Sequence, residues 1–299
     1  MAKRKTKSAY VCGDCGAEHS QWQGQCLTCG EWNTLSRVTV GPVPESGAAA
    51  AQGFAGGASE VRWLGEVERE ASERLPSGFA ELDRVLGGGL VPGSVVLLGG
   101  DPGAGKSTLL LQVTSRLAQQ YSVLYVTGEE SLHQLAMRAQ RLDLSVDNVR
   151  VASETGVEAV AALIAEHGPK VVVVDSIQVM QLASVDSMPG SVTQVREAAA
   201  FLTRLAKQSQ VVMILVGHVT KDGNLAGPKV LEHMIDCFMM LDSPAGSRYR
   251  TLRGQKNRFG AVNELGVFAM TEQGMKEVAN PSAIFLQRGE LQSLSLIHI

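Results

Sequence analysis

The chain has 299 residues, enough for one large domain or two ordinary ones, and its 44% hydrophobic and 19% charged residues are typical of a soluble globular protein. No apolar run approaches the roughly 18 residues that a membrane helix needs, and the basic start at residues 3–7 precedes no apolar signal segment, so we expect a cytoplasmic protein without membrane contacts. A net charge of −3 excludes a general electrostatic argument for nucleic-acid binding, which must rest on local clusters.

The first predicted element is a small metal-binding ribbon over residues 1–33. Four of the five cysteines form two Cys-x-x-Cys pairs here, and they are Cys12, Cys15, Cys26 and Cys29. Two such pairs supply the four thiolates of a structural Zn²⁺ site, and metal binding provides folding energy to a segment too short to bury a core. A redox dithiol is the alternative, but one redox site does not need two matched pairs. We expect His19 on the surface, because four cysteines already complete the site.

A linker and a larger domain follow the ribbon. Residues 34–62 are rich in alanine, glycine and proline without a clear period, which is typical of a semi-flexible linker. Residues 63–288 then alternate between strand and helix patterns. The predicted strands cover residues 94–99, 123–127, 149–152, 171–175, 211–216, 231–241, 248–253 and 265–270. The predicted helices cover residues 106–120, 131–142, 157–167 and 192–208, with Ser131 as the N-cap of the second.

This alternation predicts an α/β fold. A mostly parallel sheet is expected, with helices on both faces and ligands at the carboxyl ends of its strands. The last strands are the expected antiparallel additions.

A phosphate-loop pattern joins the first of these strands to the first helix, which is the context that the pattern requires. The residues predicted to bind ATP are Gly100, Asp101, Pro102, Gly103, Ala104, Gly105, Lys106, Ser107 and Thr108. The glycines let successive backbone N–H groups point at phosphate oxygens. We expect Lys106 to reach the β and γ phosphates and Ser107 to hold Mg²⁺.

Carboxylates follow two other strands at the same predicted edge. Asp175 ends a run of four valines and is the expected Mg²⁺-associated partner of Ser107. Glu129 and Glu130 follow strand 123–127, and one of them should polarise the attacking water. We favour Glu130, with the alternative that either carboxylate only caps the next helix.

Further polar residues at strand ends are candidates for sensing the γ-phosphate. They are Ser176, Gln178 and His218. A hydrogen bond from any of them could report whether the phosphate is present. For His218 a packed, purely structural role is the alternative.

A cationic stretch near the end of the domain places five positive charges in eleven residues without an intervening acid. They are Arg248, Arg250, Arg253, Lys256 and Arg258. A solvated strand face is the plain interpretation. Lys256 and Arg258 could instead serve a neighbouring subunit's nucleotide, and DNA phosphate contact is the other candidate role, with Arg248 and Arg250 as candidates.

Together these motifs resemble one family, the bacterial RadA (Sms) recombination and repair proteins, which are RecA-like ATPases. The resemblance covers residues 1–288. It rests on the two cysteine pairs, the phosphate loop, Thr-Gly-Glu-Glu-Ser at 127–131, Val-Asp-Ser-Ile-Gln at 174–178 and, above all, Lys-Asn-Arg-Phe-Gly at 256–260.

The resemblance implies a zinc finger, a RecA-like core in a homo-hexameric ring and ATP-driven movement on single-stranded DNA, with branch migration of recombination intermediates and a recombinase as a partner. It also implies that Lys106 and Ser107 bind phosphate and Mg²⁺, and that Lys256 and Arg258 couple ATP to DNA. DNA would contact loops at 180–192 and 219–229, with Ser187, Lys221 and Lys229 as candidates.

The resemblance fails at residues 289–299, where family members continue into a domain that resembles the C-terminal part of Lon protease. We expect this stretch to be a truncated or non-native tail. A DNA-dependent ATPase and motor is the predicted function. A nucleotide-switched binding module without motor activity is the alternative, and phosphoryl transfer to protein is weaker because nothing marks an acceptor site.

Overall fold

A computed structural model of the chain describes residues 7–13, 17–40, 63, 73–218, 230–244 and 246–278. Several sequence predictions lie outside these residues: the zinc ligand Cys15, most of the 34–62 linker, the DNA-binding candidates Lys221 and Lys229, and the predicted tail at 289–299. Within the described part, no helix combines the length and the apolar character needed to cross a membrane.

The N-terminal ribbon is a three-stranded antiparallel sheet in the order β2-β1-β3. Its strands are β1 (Lys7–Cys12), β2 (Glu18–His19) and β3 (Leu35–Val40). Its third strand therefore lies wholly beyond residue 33, where the sequence placed the end of the ribbon. Among the described residues of the ribbon, the buried core consists of Cys12, Cys26 and Leu35. These few buried side chains offset little of the conformational entropy of the segment, so we expect metal binding to supply folding energy.

The larger domain is built on a nine-stranded sheet in the order β12-β11-β10-β9-β4-β8-β7-β5-β6. The strands are β4 (Val95–Gly100), β5 (Val123–Thr127), β6 (Val149–Ser153), β7 (Val171–Asp175), β8 (Val212–Val216), β9 (Cys237–Asp242), β10 (Tyr249–Asn257), β11 (Leu265–Thr271) and β12 (Gly274–Glu277). Strands β4 to β9 are parallel, and β10, β11 and β12 extend the sheet antiparallel. The predicted mostly parallel α/β fold is confirmed.

Helices cover both faces of the sheet. They are α1 (Ala80–Leu86), α2 (Lys106–Leu117), α3 (Leu132–Arg141), α4 (Val157–His167), α5 (Val192–Ser209) and α6 (Val230–Met234). The two faces carry separate apolar clusters, which explains why strands such as β7 are buried along their whole length. Ser131 is the N-cap of α3, as predicted, and forms a capping box with Gln134.

In the larger domain, the sequence missed some elements and joined two others into one. Helix α1 and the short strand β12 were not predicted, and the 231–241 strand is in fact α6 followed by β9. The chain changes direction at Asp236, whose buried carboxylate accepts the backbone N–H of Val95 at 3.0 Å. That interaction joins residues 141 positions apart in the sequence, so a local sequence pattern cannot predict it.

Candidate functional site

The phosphate loop lies between the end of β4 and the start of α2. Gly100, Gly103 and Gly105 have φ values of 153°, 80° and 102°, which favour glycine. A Cβ on Gly100 would lie 2.5 Å from the carbonyl oxygen of Leu241, whereas no described atom lies within 4 Å of the corresponding point at Gly103. The loop is therefore closed on the β9 side and open at Gly103, a shape that fits a bound phosphate.

Lys106 is the first residue of α2 and is buried. Its Nζ donates to the carbonyl oxygens of Gly100 at 2.7 Å and Asp101 at 3.0 Å, and lies 3.3 Å from Nδ1 of His218. Burial lowers the pKa of Lys106, while nearby carboxylates, Asp175 first among them, raise it. Ser107 and Thr108 follow in the first turn of the helix and are half-buried.

Asp175 ends β7 beside Lys106, and its carboxylate is buried. The hydroxyl of Tyr125, a fully buried residue of β5, donates to Oδ2 of Asp175 at 2.7 Å. Burial and the neighbouring carboxylate of Asp175 raise the pKa of Tyr125 well above its ordinary value, so the phenol stays protonated and remains a donor. Sequence analysis missed Tyr125, because an aromatic residue in a buried strand gives no sign of a polar role.

Glu129 lies at the carboxyl end of β5 with its carboxylate toward Lys106. The Ser176 hydroxyl donates to its Oε1, and Nε2 of His218 lies 3.3 Å from the same atom. Hydrogen bonding from His218 lowers the pKa of Glu129, and Ser176 and Lys106 lower it further, against a burial effect that raises it. Because the Lys106 ammonium can only donate to Nδ1 of His218, Nε2 must carry the ring proton that bonds Glu129.

Glu130 faces a different neighbour from Glu129. Its carboxylate pairs with Arg138 on α3, and its backbone N–H donates to Oγ1 of Thr127 at 3.0 Å. The sequence favoured Glu130 as the base, but the group beside Lys106 and His218 is Glu129.

The three candidate phosphate sensors converge on this point. Ser176 follows Asp175 directly, and Nε2 of Gln178 lies 3.4 Å from the backbone carbonyl oxygen of His218. Among the described residues, Oε1 of Gln178 is a buried acceptor without a hydrogen-bond partner. The packed-histidine alternative does not describe His218, which is half-buried and contacts two charged groups.

The two arginines proposed for DNA contact have different surroundings. Arg248 is exposed and lies over the ring of Tyr249, with Nη2 donating to the phenol oxygen at 3.0 Å. Arg250 is half-buried, and its Nε donates to the carbonyl oxygen of Ala104 in the phosphate loop at 3.1 Å. Ser187, the third candidate within the described residues, accepts a hydrogen bond from Ser191, the N-cap of α5.

Lys256 and Arg258 are the two cations of the Lys-Asn-Arg-Phe-Gly stretch at 256–260, called the signature stretch below, and both contact the end of α6. Nζ of Lys256 donates to the carbonyl oxygens of Glu232 and Ile235, and Nη1 of Arg258 donates to Oδ1 of Asp236 at 2.9 Å. Burial lowers the pKa of Lys256, and the charge of Arg258 lowers it further. Both cations therefore contact the C-terminal end of α6 and the turn that leads from it into β9.

The cysteine cluster of the ribbon has the dimensions of a zinc site. The sulfurs of Cys12, Cys26 and Cys29 all lie within 4.8 Å of one another, with Cys12 and Cys29 at 3.6 Å. Bonds of about 2.3 Å in a tetrahedral site place zinc-bound sulfurs roughly 3.8 Å apart. His19 is half-buried rather than exposed, and its Nε2 lies 3.4 Å from the sulfur of Cys26, which places it next to the cluster. The predicted Zn²⁺ fits this donor set.

Comparison with known proteins agrees with both parts of the chain. Residues 65–224 match the AAA domain family, and residues 10–37 match the rubredoxin metal binding domain. The chain is 61% identical over 291 residues to the DNA repair protein RadA of Haemophilus influenzae. The aligned region covers 97% of this chain and 63% of that protein. Identity to the DNA repair protein RadA of Escherichia coli is 59% over 293 residues, covering 97% and 64%.

More distant relatives show the same pattern. The DNA repair protein RadA of Listeria monocytogenes is 46% identical over 288 residues, covering 96% of this chain and 62% of its own length. The chain thus spans less than two thirds of the length of these relatives. The resemblance seen in the motifs is confirmed, and the chain belongs to the RadA family of AAA-domain proteins with an N-terminal zinc ribbon.

Proposed function

We propose that this chain binds and hydrolyses ATP as a DNA-dependent ATPase of homologous recombination and DNA repair. The observation that carries the proposal is the grouping of Lys106, Glu129 and Asp175 at one sheet edge, with His218 touching the first two. A phosphate-binding cation, a base and a carboxylate for Mg²⁺ are the groups that phosphoryl transfer to water requires.

The loop and its flanking residues support nucleotide binding. The Lys106 ammonium, held by loop carbonyls, is the group we assign to the β and γ phosphates. Ser107 and Asp175 are assigned to Mg²⁺, which when bound neutralises phosphate charge. Tyr125 fixes the Asp175 carboxylate through Oδ2, so Oδ1 is the oxygen we assign to the metal or to its water.

We assign the water-orienting role to Glu129 and not to Glu130. The lowered pKa of Glu129 keeps its carboxylate ionised at neutral pH, as a base requires, whereas Glu130 is engaged by Arg138. Ser176 and His218 hold the Glu129 carboxylate in place, so the loss of either contact would change the position of the proposed base. This arrangement supports a sensor role for these residues and for Gln178 beside them.

The DNA part of the proposal is supported by the relatives, which are DNA repair proteins by name. We propose that the chain acts in a homo-hexamer on single-stranded DNA, promotes branch migration of recombination intermediates and works with a recombinase. The 180–192 segment, with Ser187, begins next to Gln178 and is our candidate DNA contact among the described residues. Lys256 and Arg258 are proposed to couple ATP to DNA, and their reach into a neighbouring subunit stays a prediction.

One observation favours a second candidate function, a nucleotide-switched module that binds a protein partner. The ribbon exposes three large apolar side chains, Trp22, Leu27 and Trp32, with 59%, 76% and 67% of their surfaces accessible. Exposed aromatic residues are enriched in protein interfaces.

A hydrolysis assay separates the two functions. We expect single-stranded DNA to raise the rate of ATP hydrolysis, and Lys106→Ala to abolish hydrolysis with and without DNA, because it removes the main phosphate cation. The Lys170→Ala protein, which alters a lysine outside the site, should behave as the wild type. The second function would be favoured by a hydrolysis rate that does not change when DNA is added, together with a protein partner whose affinity differs between the ATP-bound and ADP-bound states.

A further inference from the structure

Arg250 makes a contact that the ATPase and DNA roles discussed so far do not explain. It lies on β10, 146 residues after Ala104 in the sequence, yet its Nε donates to the Ala104 carbonyl oxygen at 3.1 Å. Its Nη1 donates to the carbonyl oxygens of Ser247 at 2.7 Å and Tyr249 at 3.0 Å. Three backbone carbonyls thus orient one guanidinium, which joins the phosphate loop to the start of β10.

The peptide group after Ala104 is what this contact fixes. The Ala104 carbonyl and the Gly105 N–H belong to the same planar trans peptide, so they point in opposite directions. Holding the carbonyl on the β10 side therefore aims the Gly105 N–H away from β10. In a phosphate loop, such N–H groups are the donors that bind the phosphate oxygens.

Side chains of β11 and β12 lie against the next residue, Gly105. A Cβ on Gly105 would lie 2.6 Å from the terminal methyl of Met270 on β11, and it would also overlap the methyl of Met275 on β12. Two methionine side chains of the sheet extension therefore lie close to Gly105, on the same side of the loop as Arg250. The three antiparallel strands together support this side of the phosphate loop.

We propose that Arg250 is a positioning residue for nucleotide binding, which sets the direction of the Gly105 N–H, and that it is not a DNA contact. The inference rests on the proposed binding of ATP at this loop. It assigns to the antiparallel extension a role in phosphate recognition, and it separates Arg250 from Arg248, its exposed neighbour on the same chain segment.

The test compares Arg250→Gln with Arg248→Gln in the zinc-loaded chain, using a fluorescent N-methylanthraniloyl ATP and a labelled oligo-dT strand. We expect Arg250→Gln to raise the Kd for the nucleotide about tenfold, since a charge-assisted hydrogen bond is lost. It should raise KM for ATP similarly and leave kcat within about twofold, because the reacting groups remain. The Arg250→Lys protein, which keeps the positive charge and N–H donors but not the planar guanidinium, should recover part of the affinity.

Each other result is informative. A general structural defect lowers the active fraction and therefore kcat while KM is unchanged, and that result overturns the proposal. An unchanged nucleotide Kd in Arg250→Gln also overturns it. So does a measurable loss of oligo-dT binding in nucleotide-free Arg250→Gln that equals or exceeds the loss in Arg248→Gln. If the wild type itself binds no labelled ATP, the proposed function fails and the inference fails with it.

Discussion

Glu129 and Glu130 are adjacent and chemically alike, but the fold gives them different partners. Glu129 extends toward Ser176 and His218 at the sheet edge, and Glu130 turns back to Arg138 on α3. Both residues lie in the bend that follows β5, where their side chains leave the chain in different directions. The choice between them depends on the direction in which the chain leaves β5.

At the residue scale, we predict that Glu129→Gln lowers kcat for ATP hydrolysis by about 10²-fold or more, because it removes the proposed base. Its Kd for a fluorescent ATP should stay within about threefold, since the amide keeps the shape of the side chain. The matched Glu130→Gln should change kcat by less than about threefold, because it breaks only a half-exposed ion pair. Steady-state kinetics on both variants provides the measurement, and a larger loss in Glu130→Gln would reverse the assignment.

At the scale of secondary-structure elements, Asp236 organises the junction between α6 and β9. Its carboxylate is 2% exposed and accepts the N–H of Val95, the Lys207 ammonium at 2.9 Å and the Arg258 guanidinium at 2.9 Å. One side chain thus connects β4, α5 and the signature stretch. The ion pair with Asp236 gives Arg258 of the signature stretch a structural role within the chain.

We predict that Asp236→Ala lowers the free energy of unfolding of the larger domain by about 3–5 kcal/mol. The substitution leaves the Lys207 charge without its partner and the buried Val95 N–H without an acceptor. The exposed Asp147→Ala should change it by less than about 0.5 kcal/mol. Urea unfolding followed by far-UV circular dichroism measures both, and equal midpoints for the two variants would contradict the prediction.

For the whole molecule, the ribbon and the larger domain depend on different sources of stability. The ribbon buries Cys12, Cys26 and Leu35, whereas the sheet carries two extended apolar clusters. Hydrophobic stabilisation scales with the area removed from water, so we expect the larger domain to fold without metal and the ribbon to require it.

We therefore predict that removing zinc unfolds the ribbon and leaves nucleotide binding intact. All three tryptophans, at positions 22, 32 and 63, precede the first strand of the nine-stranded sheet. Tryptophan emission therefore reports on the N-terminal part of the chain. Chelation or Cys26→Ser should shift this emission, while the Kd for a fluorescent ATP stays within about twofold. Loss of ATP binding on chelation, or purified protein without zinc and with all four ribbon cysteines present, would refute the prediction.

The sequence by itself determined the features that rest on local patterns. The glycine spacing of the phosphate loop, the apolar runs of strands such as β5 and β7, the Ser131 cap and the cysteine pairs each reflect the chemistry of a few consecutive residues. The placement of Asp175, Lys106 and the Glu129–Glu130 pair at one edge also followed, because parallel strands bring their carboxyl ends together.

Only the tertiary structure decided which groups meet within that frame. It placed Glu129 rather than Glu130 beside Lys106, turned Arg250 onto the Ala104 carbonyl, and divided the 231–241 segment at Asp236. Each of these contacts joins residues that are tens to more than a hundred positions apart. Their side chains find partners through packing of distant elements, and a local pattern of residue types carries no information about that geometry.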